Sequence, residues 1–169
     1  MTNRRQAVML NNNPKRCAEV YGKGRWERLV EVTDLHPQII TGDDLPGRAA
    51  ELSGVEAVFS TWGIPSLGAD ELRHLPALKI VFYAAGSVRS FAPALLAQGI
   101  RVVSSWAANA VPVAEFSLAQ ILLSCKGYWR NVNEFTGPEH RGSAFRGTGN
   151  YGETVGIIGA GMVGRALIE

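Results

Sequence analysis

The run Val155-Gly156-Ile157-Ile158-Gly159-Ala160-Gly161-Met162-Val163-Gly164 constrains the fold more than any other stretch of this sequence. Four residues suited to a strand buried on both faces lead straight into glycines spaced Gly-X-Gly-X-X-Gly, and residues 165–169 continue as a helix start. In that order Gly159 permits a tight turn out of the strand, Gly161 lets a pyrophosphate approach the backbone, and Gly164 allows the helix to pack closely on the strand. The helix opening at Met162 and Val163 directs its free N–H groups at the phosphates. Glycine supplies 19 of the 169 residues, so the spacing alone arises by chance; the flanking strand and helix make it a dinucleotide-binding turn. Gly22-Lys23-Gly24 lacks a preceding strand and reads as a loop or a helix interruption.

Short apolar runs rich in β-branched and aromatic residues recur upstream at 7–10, 38–40, 57–60, 78–83 and 101–104, and 154–159 makes a sixth candidate strand. Between them, 17–31, 68–74 and 92–98 have helical spacing, the last ended by Gly99. Alternating strands and helices predict an α/β fold with a mainly parallel sheet covered on both faces.

Residues 113–130 differ, since apolar side chains from Val113 to Trp129 cover nearly the whole circumference of a helix and only Ser117, Gln120 and Ser124 form a polar stripe. A helix apolar on almost every side must be buried on several sides, between domains or between subunits. The following stretch, 131–151, is rich in Gly and Asn, contains Gly137-Pro138, and reads as a long irregular connection. Its arginines, Arg141 and Arg146, resemble an RNA-binding tail only loosely and fit a surface loop. The organisation expected is one domain over 1–106 and the start of another over 107–169.

With 46% apolar residues and a formal net charge of +2, the chain has ordinary globular composition and no broad electrostatic footprint for nucleic acid or an anionic membrane. Cys17 and Cys125 are far apart, show no metal-type spacing and read as small buried residues, which fits a reducing cytoplasmic setting and no metal site. The N-terminal apolar run is too short for a signal peptide, and no 18-residue apolar stretch is expected.

Four stretches then carry a family pattern: Leu75-Pro-Ala-Leu-Lys-Ile-Val81, Ala84-Ala-Gly-Ser87, Asn109-Ala-Val-Pro-Val-Ala-Glu115 and Gly152 through Gly164. In order and spacing the chain resembles the N-terminal half of the D-isomer-specific 2-hydroxyacid dehydrogenases, relatives of phosphoglycerate, hydroxypyruvate and formate dehydrogenases. The resemblance implies a flavodoxin-like substrate domain followed by the truncated start of a Rossmann NAD-binding domain. It implies NAD or NADP as cofactor, a D-2-hydroxy or 2-keto acid as substrate, and a homodimer in the full-length protein.

By the same resemblance, backbone N–H groups at Ala85 and Gly86 hold the substrate carboxylate, where small side chains leave the donors approachable; a plain βα turn is the alternative. Asn109 either donates its amide to substrate or caps the turn ahead of Pro112. Val113 either lines the nicotinamide pocket or is core, and Trp62 either meets substrate or packs. Gly159, Gly161, Met162, Val163 and Gly164 would hold the cofactor pyrophosphate. The family's usual Asp beyond the loop glycine is Val88 here, and Ser87, Arg89 and Ser90 also depart from the pattern.

Hydride transfer at a hydroxyl carbon needs a proton donor and a cation, which the family supplies with Arg, Glu and His placed well after the glycine turn. The acidic reader of the adenosine ribose, about 20 residues past that turn, follows it too. No catalytic residue is therefore expected within this chain, and the chain by itself is expected to be inactive. His36, ahead of a proline at a strand entry, His74 at a helix end and His140 in the loop read as surface histidines. The rival class is a dinucleotide-sensing, corepressor-like binding protein on the same scaffold. Strand 154–158, without neighbouring strands, is expected to be exposed, disordered or borrowed by a neighbour.

Overall fold

Alternation of side chains along each strand determines which helices cover which face of the sheet. The computed structural model describes residues 4–169. They fall into two compact units, the first ending at Trp106 and the second running from Ala107 to Glu169. The first holds strands β1 (Gln6–Leu10), β2 (Asp34–Ile40), β3 (Ala57–Ser60), β4 (Ile80–Tyr83) and β5 (Arg101–Ser104). All pair in parallel in the order β2-β1-β3-β4-β5. This is the doubly wound, flavodoxin-like order, with a topological switch point where β1 and β3 lie side by side.

Val8, Leu10, Val58, Val81 and Tyr83 point to one face, where Leu52 and Leu95 of α3 (Ala49–Leu52) and α5 (Ala92–Ala97) join them. Ala7, Met9, Ala57, Phe59 and Phe82 point to the other. There they meet Cys17 and Tyr21 of α1 (Pro14–Tyr21) and Trp26 and Leu29 of α2 (Arg25–Val32). The period of two along every strand thus builds two apolar layers from one sheet.

The helix expected over 17–31 is two helices. Gly24 and Lys23 adopt positive φ (80° and 57°), and a Cβ on Gly22 would sit 2.6 Å from the Ala18 carbonyl oxygen. The Gly22-Lys23-Gly24 run is therefore a helix interruption. Strand β2 starts four residues before the expected 38–40, at Asp34. It carries Pro37, which has no N–H to give a ladder; β2 is an edge strand, and its register against β1 shifts between Ala7 and Met9, where Pro37 sits. The expected strand over 78–83 begins at Ile80. The helix expected over 68–74 shrinks to α4 (Ala69–Leu72).

After α5, Gly99 (φ 73°) donates to the Leu96 carbonyl at 3.0 Å and Ile100 to the Leu95 carbonyl at 3.0 Å. This paired reversal satisfies two helix-end carbonyls, and Leu95 and Ile100 meet in the core as it closes.

The second unit is described by itself. The helix expected over 113–130 begins instead at Trp106 and ends at Cys125 (α6, Trp106–Cys125), and Gly127 with φ 70° separates it from α7 (Tyr128–Glu134). Asn109 thus lies inside a helix and not at its cap, which removes the capping alternative. By length and composition α6 is apolar enough to cross a membrane, so the expectation that no such stretch occurs is corrected. Cys125, expected to be buried, is half-buried.

The stretch expected to be irregular from 131 is helical to Glu134 and is tied back onto the α6–α7 junction. Gly149 donates to the Cys125 carbonyl (3.0 Å), Asn131 exchanges two hydrogen bonds with Phe145 (2.6 and 2.9 Å), and the Arg130 guanidinium lies 4.7 Å above the Phe145 ring. Residues 154–159 form no strand: they pair with nothing among the described residues and are exposed, Ile158 fully so. A strand is defined by its neighbours, and residues 107–169 contain no other.

Candidate functional site

In a doubly wound sheet, ligands seat outside the carboxyl ends of the strands. Three loops meet at that edge in the first unit, after β1, β3 and β4. The β4 loop holds Ala85, buried, and Gly86, half-buried. Its base is pinned to the β3 loop: Ala84 donates to the Ser60 carbonyl at 2.8 Å, and Thr61 Oγ1 donates to the Ala84 carbonyl at 3.1 Å. Its far end closes where the Val88 carbonyl accepts from Phe91 (3.3 Å) and Ala92 (2.9 Å). The N–H groups of Ala85 and Gly86 donate to no acceptor among the described residues. These two adjacent donors therefore stand without a partner, on Ala85, a member of the core cluster, and on half-buried Gly86.

Val88 packs against the apolar cluster around Leu95 and Val81. Side-chain burial at this position therefore anchors the loop, and Arg89 beside it is exposed and makes no ion pair among the described residues.

The loops after β1 and β3 form a polar knot that the sequence alone did not mark. Asn11 is fully buried; its Nδ2 donates to Ser60 Oγ (3.1 Å) and to the Thr61 and Trp62 carbonyls (3.1 and 3.2 Å), and its Oδ1 accepts from the Asn13 N–H (2.7 Å). Ser60 Oγ donates to the Leu10 carbonyl at 2.5 Å, and the Tyr21 hydroxyl to the Ser60 carbonyl at 2.9 Å. Burial pushes the Tyr21 phenol up from its ordinary range and the Cys17 thiol up to about 11, so both stay neutral. Trp62 stands half-exposed on this loop. The only trace in sequence is Asn11-Asn12-Asn13 following a strand, a pattern equally typical of turns.

In the second unit, Asn109 is half-buried and Val113 exposed, one turn apart on one face of α6. The glycine turn has the local shape its residues require. Gly159 takes φ 98°, Gly161 is the extended cap of α8 (Met162–Ile168), and a Cβ on Gly164 would collide with the Gly159 carbonyl oxygen. Nothing stands within 4 Å of a Cβ placed on Gly161, which leaves that backbone open to a ligand. The first helical bond, Arg165 to the Gly161 carbonyl (2.9 Å), leaves the Met162, Val163 and Gly164 N–H groups free.

The histidines differ from expectation in part. His36 lies within β2, with Nδ1 accepting from the Gln38 N–H (3.2 Å) and Nε2 3.7 Å from Glu51, and its side chain is mostly buried. His140 pairs with Thr136 Oγ1 at 2.9 Å.

No family model matches the chain. In sequence it is 30% identical over 142 residues to formate dehydrogenase, chloroplastic/mitochondrial, of Arabidopsis thaliana, a match covering 79% of this chain and 37% of that protein. Formate dehydrogenase 2, mitochondrial, of Oryza sativa subsp. japonica matches at the same identity and coverage. Among solved structures, a phosphoglycerate oxidoreductase from Rhizobium etli superposes with a TM-score of 0.65 at 22% identity, over 97% of this chain and 51% of that one. The NADPH-dependent glyoxylate/hydroxypyruvate reductase of Sinorhizobium meliloti, solved with NADP and malonate, gives 0.64 at 22% identity, over 98% and 49%. The fold is that of the D-2-hydroxyacid dehydrogenases.

The chain spans about half the length of those dehydrogenase structures and 37% of the curated relatives it matches. The chain is thus similar in sequence to formate dehydrogenases and in fold to the D-2-hydroxyacid dehydrogenases, over most of its own length and part of theirs.

Proposed function

We propose that the protein is an oxidoreductase that transfers a hydride between NAD or NADP and a D-2-hydroxy or 2-keto acid. The observation that carries this is the pair of N–H groups without a partner at Ala85 and Gly86, on the loop after β4 at the carboxyl edge of the sheet. A carboxylate held there is fixed at one end without a cation; the Asn109 amide, in the second unit, is assigned to substrate by the family resemblance. Gly159, Gly161, Met162, Val163 and Gly164 fit a pyrophosphate, and Val113 would face the nicotinamide. The dinucleotide, when bound, supplies or accepts the hydride. The accompanying proton needs a donor of suitable pKa on the substrate edge. His36 lies inside the edge strand β2 and His74 precedes β4 at its amino end, so neither serves. By the family resemblance no residue of 1–169 is assigned this proton, and residues 1–169 by themselves are expected not to turn over.

Full-length protein given NADH or NADPH and a panel of 2-keto acids should oxidise the nicotinamide; no turnover with any member would refute the assignment. Asn109→Ala should lower kcat/KM by roughly tenfold to a hundredfold, the effect of one hydrogen bond to a charged or polarised oxygen.

We propose further that the full-length protein is a cytoplasmic homodimer. Val111, Phe116, Leu118 and Leu122 of α6 are all exposed, an apolar display that a solvated monomer rarely carries. Sedimentation should give a dimer, and a clean monomer would remove this part of the reading.

A further inference from the structure

The polar knot at the switch point does more than satisfy buried groups, because the Asn11 and Thr61 bonds tie together the loops after β1, β3 and β4. Asn11 Nδ2 reaches three acceptors on three consecutive residues, Ser60, Thr61 and Trp62. The Asn12 N–H donates to the Gly63 carbonyl at 2.8 Å, and Ile64 donates to Thr61 at 3.1 Å, closing a turn with Trp62 and Gly63 at its centre. Gly63 has φ 101°, the left-handed region that turns of this kind require at their third position. A Cβ there would stand 2.7 Å from Asn11 Oδ1, so the Asn11 amide and the Gly63 backbone fit each other directly. From the same loop, Thr61 Oγ1 and the Ser60 carbonyl hold both polar groups of Ala84, the residue next to the free N–H groups of Ala85 and Gly86.

We propose that Asn11 is a positioning residue for the substrate site. It locks the Thr61–Trp62–Gly63 turn, and through that turn it fixes both the Trp62 indole, as a rigid wall, and the Ala85–Gly86 carboxylate seat. This rests on the reading that the edge binds a 2-keto acid. A fully buried amide is suited to the task because it offers donors and an acceptor in one plane and carries no charge to desolvate. Trp62 is 48% exposed between Thr61, which is fully buried, and Gly63, so the indole is presented on backbone that does not need to be ordered when a ligand arrives.

The test uses the full-length protein and Asn11→Asp, which keeps the shape of the side chain and removes its N–H donors. Hydrogen exchange should show lost protection at the Ile64 amide and also at the Ala84 amide, which donates to the Ser60 carbonyl; unchanged protection at Ala84 would overturn the proposal, whatever the enzyme assays give. In steady-state assays with glyoxylate and phenylpyruvate, the ratio of the two kcat/KM values should shift by about fivefold or more in Asn11→Asp, as expected for coupled neighbours. In a Trp62→Ala background the same substitution should leave that ratio unmoved. Equal losses for both substrates that add to those of Trp62→Ala would mark Asn11 as merely structural and overturn the proposal. Should Asn11→Asp fail to fold, Gly63→Ala strains the same turn from its other side and is read by the same two criteria. Absence of turnover with either acid would count against the proposed function, and the exchange data would still decide the role of Asn11.

Discussion

Glu56 takes Lys79 Nζ and Arg5 Nη1 on one oxygen, each at 2.6 Å, at the amino-terminal end of the sheet. The Lys79 hydrogen bond leads in holding its carboxyl below the usual carboxylate range, with Arg5 assisting and desolvation opposing. A group whose folded pKa is depressed stabilises fully above its unfolded pKa and loses that contribution as pH falls through the folded one. The melting-temperature difference between wild type and Glu56→Gln should therefore be greatest near neutrality and close below the carboxylate range. A difference independent of pH would show that the charge is not its cause. Gly99 gives a second residue-scale probe. Its φ is 73° and nothing stands within 4 Å of a Cβ placed on it, so Gly99→Ala measures dihedral strain alone. Urea unfolding should report a loss of about 1 kcal/mol. Gly99 was legible in the sequence because a helix stop is a local event. Asn11 was not, because its partners lie about fifty residues away and an Asn-rich run after a strand looks like any turn.

At the scale of elements, β3 and β5 have the bounds that their β-branched runs predict, since pattern and pairing agree over their whole length. β2 is longer than its apolar run because pairing with β1 continues past Pro37, which composition alone excludes from a regular ladder. Helix α6 starts seven residues before the expected Val113. Pro112 suggests a first-turn residue, yet it sits at the seventh position of the helix, where it leaves the Ala108 carbonyl without its N–H partner. The segment 154–159 shows the opposite failure: its residues read as a buried strand, and without a paired neighbour the preference is not realised. The apolar surface of α6 makes a direct prediction. Phe116, 66% exposed in the middle of the helix, should tolerate Phe116→Glu in the isolated chain and abolish dimerisation of the full-length protein. Sedimentation of that variant as an unchanged dimer would locate the interface elsewhere.

For the whole molecule, the position of the buried apolar side chains decides where stability resides. Both hydrophobic clusters draw every member from residues 7–102. From 107 onward the only buried residues are Ala110, Ala114 and Gly127, while Val113, Phe116, Tyr128, Trp129, Ile158 and Ile168 are exposed. Burial of apolar surface is the main favourable contribution to folding, so residues 1–106 should carry nearly all the cooperative stability of this chain. A chain ending at Trp106 should lose the far-UV helix signal of α6, α7 and α8 but still unfold cooperatively in urea, with a free energy within about 1 kcal/mol of the 169-residue chain. The m-values should also be close, because m tracks the surface newly exposed on unfolding and the remaining residues have little left to expose. Leu95→Ala should cost roughly 2–5 kcal/mol in both lengths, since Leu95 is fully buried in a cluster both retain. If shortening the chain removes the cooperative transition, or Leu95→Ala costs much less in the longer chain, residues 107–169 hold stability that burial does not account for. A matching pair of transitions would instead make the first unit a self-sufficient scaffold for the loop that carries Ala85 and Gly86.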